Sequence, residues 1–211
     1  MAVRIKTRWH RSRRSRKNME AGKREKTMDE LAGVIAFNIW KIAQNVFSHM
    51  EKEGFRFAND KQAIAVIIET VAFLTQIADR MVYEYFDTEE RREFVTSAAK
   101  HLGQTLQTNQ MDLQGPGDYL NPFIDTLNQR FAEYSECSFD RKEGPGYAFK
   151  RVLGDKIAQV MAESDAKWVV EHVMEIEVPE AVKTTMRLVI DVMGLRQRTP
   201  RSEQNPGQAE E

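Results

Sequence analysis

From Met28 onward, apolar residues recur every three or four positions, the spacing of helices that bury one face. Leu31, Ile35, Ile39, Ile42, Val46 and Met50 line one side of the first stretch, and Gly54 suits its C-terminal end. Phe37 and Trp40 point the other way. A second apolar contact is therefore expected there, and this pair is the candidate interface with another chain.

The second stretch, 61–86, is preceded by Asn59 and Asp60 as capping residues. Ile64, Ile67, Ile68, Val71, Leu74, Ala78, Met81 and Val82 cluster on its wheel, and Ala65, Val66, Phe73 and Ile77 widen the arc past half the circumference. Glu69, Gln76, Asp79 and Arg80 form the narrow polar stripe that remains. A helix this apolar belongs at the centre of a bundle.

Asp87 with Glu90 three residues on reads as a capping box for a third helix carrying Phe94, Ala98, Leu102 and Leu106. The Gly-Pro-Gly at 115–117 predicts a loop over 111–119, and Asn121-Pro122 reads as a cap followed by proline at the first helical position. Helix four carries Phe123, Ile124, Leu127, Phe131 and Tyr134. A second Gly-Pro-Gly at 144–146 separates it from helix five, with Phe149, Val152, Leu153, Ile157, Val160 and Met161. The two glycine loops agree too little beyond the glycines to mark a duplication.

Ser164 is expected to cap helix six, through Trp168, Val169, Val173 and Ile176, with Pro179 breaking it. Helix seven follows from Glu180, with Val182, Met186, Val189, Ile190 and Met193 ahead of Gly194. One alternative remains in this region. Met174–Val178 alternates as a strand would, and pairing it with Val3–Lys6 would set Arg4 and Lys6 against Glu175 and Glu177. A lone two-strand ladder is marginal, however.

The pattern thus predicts an all-α fold: one helical domain over 28–195, six or seven helices around helix two. A disordered basic arm, 1–27, and a disordered polar tail, 196–211, flank it. With 211 residues and 41% hydrophobic content, the chain can bury a core of its own. Its longest uninterrupted apolar run, 63–68, falls far short of the roughly 20 residues of a membrane span.

Charge changes the picture at the N-terminus. The net charge of −1 divides into about +9 over residues 1–26 and about −10 over the rest. The arm lacks the apolar centre of a secretory signal and the amphipathic face of a transit peptide. With Cys137 as the single cysteine, no internal disulfide is available, and a cytoplasmic location is the expectation. Arg4, Lys6, Arg8, Arg11, Arg13, Arg14, Arg16 and Lys17 are the candidate phosphate contacts. Trp9 is the candidate ring for stacking on unpaired bases, with His10 beside it. Met19 and Met28 are alternative starts that would shorten or remove the arm.

Catalytic patterns are sparse. Ser97-Ala-Ala-Lys100 and Ser164-Asp-Ala-Lys167 both match Ser-x-x-Lys, without the companion elements that give it meaning. Neither glycine loop continues into a phosphate-binding motif. No Glu-x-x-His pair or Cys/His cluster calls for a metal or another cofactor. The nearest approach to a site is His172 with Glu175, among Glu171, Glu177 and Glu180, with His49 as a further polar group for an apolar pocket. The expected function is therefore a non-enzymatic protein–protein interaction or assembly protein, its partner a second copy or another protein. Non-specific nucleic-acid binding through the arm is the alternative, and a bundle enzyme or carrier with an apolar pocket the third reading.

Overall fold

The computed structural model describes residues 26–161 and 163–201, with 163–167 as backbone only. The nine arm residues assigned to nucleic acid lie outside them, as does the predicted tail beyond 201; its first part, 196–201, is described and packs on the domain, with Arg201 donating to the Glu84 and Phe86 carbonyls and Arg198 over the Phe86 ring. The chain runs α1 (Met28–Lys52), α2 (Asp60–Val82), α3 (Thr88–Gln114), α4 (Leu120–Ser135), β1 (Phe139–Asp140), β2 (Gly144–Pro145), α5 (Tyr147–Val160), α6 (Glu163–His172), a π turn (Val173–Glu177) and α7 (Val178–Val192). It is all-α. The two-residue strands pair antiparallel, Phe139 with Pro145, and the π turn joins α6 to α7 without interruption.

Local chemistry sets most of the helix ends. Thr27 accepts from the Glu30 N–H while Glu30 reaches back to the Thr27 N–H, a reciprocal cap for α1. Asp87 and Glu90 do the same for α3. At the other end of α1, Gly54 at φ +94° lets the Phe55 N–H reach back to the Met50 carbonyl.

Four boundaries differ from the sequence expectation. Helix α2 stops at Val82, because the chain then turns back to bury Phe86 edge-on against Phe94 of α3. Helix α3 continues to Gln114, so only Gly115–Tyr119 is loop; apolar periodicity fades before the helix does because the turn 107–110 is wholly polar. Helix α4 starts at Leu120, its first amides held by Asp118 rather than Asn121. Pro179 does not break a helix but sits in the first turn of α7.

Helix α2 is the hub, packed against α1, α3, α4, α5 and α7. Glu69, Gln76 and Asp79 of its polar stripe are buried as well, and Arg80 partly so. Glu69 takes a two-pronged ion pair from Arg130 of α4 at 2.6 and 2.8 Å, and Asp79 takes another from Arg91 of α3, both contacts at 2.6 Å. Arg80 donates to the Tyr134 and Ser135 carbonyls at the end of α4, where the helix dipole favours a cation. A ring cluster of Phe73, Tyr134 and Phe149 joins α2, α4 and α5, with Tyr134 and Phe149 stacked at 4.5 Å. By length and a mean hydropathy of 1.4, α2 is the one described helix apolar enough to cross a membrane, yet 83% of that apolar stretch is buried inside the fold.

The structure also removes half of the candidate interface. Trp40 is only 4% exposed and belongs to the core. The reason is the number of partners α1 meets. It packs on α2, α3 and α7 together, so its apolar arc must be wider than a single face. Phe37 is half-buried, with the Lys41 ammonium 5.6 Å above its ring.

Candidate functional site

Three segments converge where α1 ends beside the junction of α6 and α7. His49 comes from the last turn of α1, His172 ends α6, and Glu177 ends the π turn. The Glu177 Oε1 lies 2.6 Å from His49 Nδ1 and 2.8 Å from His172 Nε2, so both ring nitrogens donate to one carboxylate oxygen. The two imidazoles lie 6.3 Å apart at 24°, and Phe55, just past α1, packs on His172 at 4.7 Å. Glu177 is almost fully buried, whereas about half of the His49 side chain faces solvent. The hydrogen bond to Glu177, and then its negative charge, hold the His49 pKa above the usual histidine range. Glu53 adds a smaller pull through His49 Nε2, at 3.7 Å.

The π turn makes this geometry. In an α-helix, residues five apart diverge by about 140° around the axis, so His172 and Glu177 would face different ways. The wider turn, closed by the Val178 N–H on the Val173 carbonyl, brings both to one side. Pro179 accounts for its position: lacking an N–H and crowding the carbonyl four residues back, it disfavours a regular turn just before itself. The same region therefore departs from the extended alternative for Met174–Val178.

Sequence spacing named His172 and Glu175; the structure keeps the histidine and exchanges the acid. Glu175, three residues on, is the acid an α-helix would set beside His172, but in the widened turn it is exposed and Glu177 turns inward. Among the described residues, His49, His172 and Glu177 are the group of potential metal ligands with donor atoms close enough to share one ion, all within 4.8 Å. The signal available in the sequence was a histidine five residues ahead of an acid, close before a proline.

A second feature adjoins this centre. A groove of about 430 Å³ runs along α7 from Val178 and Pro179 past Val182 and Met186 to Ile190, closed on one side by Pro145 of β2. Lys142, Lys150, Lys183, Arg187 and Arg196 stand around it, with Glu143 as the one acid in its lining. Arg196 alone of the five has an ion-pair partner among the described residues, Asp191 at 3.5 Å. At Cys137, by contrast, burial pushes the thiol up, which disfavours the reactive thiolate.

Fold and site together define a class, an all-helical domain with a His–Glu–His centre at a π turn beside a basic-rimmed apolar groove. No family model, curated protein or solved structure matches the chain.

Proposed function

We propose that this chain is a non-enzymatic interaction protein whose docking surface is the α7 groove, and that its occupant is an acidic amphipathic segment of a partner protein. The observation that supports this reading is the pairing of an apolar floor (Val182, Met186, Ile190) with five cations and one acid around it. An amphipathic helix lays its apolar side chains into such a floor, and flanking carboxylates meet the lysines and arginines. The interface expected at Phe37 and Trp40 moves to α7, because Trp40 is core.

The test places a photo-crosslinking residue at Met186 of the full chain in the cells that produce it, with exposed Glu93 on α3 as the control position. Adducts specific to Met186 should map, by mass spectrometry, to an acidic amphipathic segment and should weaken with Lys183→Glu/Arg187→Glu. An adduct to a second copy of this chain would replace the partner reading with self-assembly. Equal labelling at Met186 and Glu93 would refute both.

A second reading rests on charge alone. The arm, at about +9, is suited to non-specific contact with nucleic acid. Binding that survives removal of residues 1–26, or that ignores salt, would refute it.

A further inference from the structure

We propose that His49, His172 and Glu177 form a binding site for one divalent transition-metal ion of the zinc class. Two imidazoles and one carboxylate are the donor set of open zinc centres, in which three protein ligands leave a fourth position for water or another group. Imidazole donors disfavour calcium and magnesium, which take oxygen ligands. The three donor atoms lie within 4.8 Å of one another, and in the ion-free arrangement one carboxylate oxygen holds both ring N–H groups. On entry of the ion each ring proton leaves the nitrogen that faces Glu177, by tautomer shift to the other ring nitrogen or, from a doubly protonated ring, to solvent, and the freed nitrogen lone pair binds the metal.

The surroundings fit such a centre. Glu177 is buried, so its charge is poorly hydrated and gains from a cation. Phe55 packs against the His172 ring, centroids 4.7 Å apart, and adds an apolar contact beside it. His49 lies half in solvent, which gives the ion an entry path and leaves room for the open position. Its outer nitrogen, Nε2, is 3.7 Å from the half-exposed Glu53, too long for a hydrogen bond but near enough for that carboxylate to favour positive charge at the site. The π turn is the local device that makes the set possible, since a regular helix would separate His172 from Glu177. The blander role for these residues is a hydrogen-bonded clamp between α1 and α7 that binds nothing.

The two roles are separated by titrating the full, chelator-treated, tag-free chain with cobalt chloride, then with zinc chloride. The proposal expects visible cobalt d–d absorption that saturates at one ion per chain, displaced by zinc, with a rise in Tm on zinc binding. His172→Gln and Glu177→Gln should remove the absorption. If burial makes Glu177→Gln fail to fold by circular dichroism, His49→Gln, at the solvent edge, carries the same test. A wild-type chain without the cobalt bands would overturn the proposal, leaving the clamp. So would bands unchanged in folded His49→Gln, which would place the metal elsewhere.

Discussion

Replacing Arg130 by methionine is the most informative single test of how the central helix tolerates its polar stripe. Glu69 is 6% exposed and receives both Arg130 contacts, at 2.6 and 2.8 Å. With the guanidinium gone, its carboxylate faces the interior without a counter-charge. Glu133, the other acid on Arg130, keeps Lys156 at 3.0 Å, so the damage concentrates at Glu69. Breaking one side of a buried pair costs about 3–5 kcal/mol. With a urea m-value of about 2 kcal/mol/M, the midpoint should fall by about 1.5–2.5 M. The double replacement Glu69→Met/Arg130→Met removes both charges at similar volume, and should restore most of the loss or exceed the parent. Equilibrium urea unfolding of the three variants at neutral pH decides it. A single variant within about 1 kcal/mol of the parent, or a double variant no better than the single, would refute the reasoning.

Other substitutions test other parts of the account. Trp40→Ala should cost about 3–5 kcal/mol in the same urea assay, as a buried aromatic does, and leave the sedimentation behaviour of the folded protein unchanged. A change in association with little loss of stability would restore Trp40 as an interface residue. Asp118 accepts from the Asn121 and Leu120 amides, which hold its carboxyl below the ordinary aspartate range. Its contribution is therefore present above the ordinary aspartate pKa and lost as pH falls through the lowered value. Thermal unfolding of Asp118→Asn should show a shallower acid-side decline than the parent below about pH 4, and parallel curves would refute the cap.

Much of the architecture follows from one dimension of information. A three- to four-residue apolar period, side-chain caps at Asn59 and Asp87, and Gly54 and Gly194 at helix ends are local rules, so the all-α class and the central place of α2 were readable from the chain. They are readable because burying one face and satisfying the end amides depend on near neighbours. What the period does not contain is the number of helices a given helix meets. Trp40 looked like a second face, and became core only because α1 meets three neighbours.

The same limit governs the centre. His172 was legible as a candidate, and Glu175 was the acid that α-helical spacing places beside it. Pro179 read as a helix break, and in the fold the helix widens into a π turn instead, turning Glu177 inward. Bringing His49 within 2.6 Å of that carboxylate, across 128 positions, is a matter of how α1 lies on α7. Residue identity determined which side chains were able to ionise, pair or hold an ion. Only tertiary packing decided which of them share one oxygen, because a contact over such a separation is set by close packing of whole helices, which no local pattern encodes.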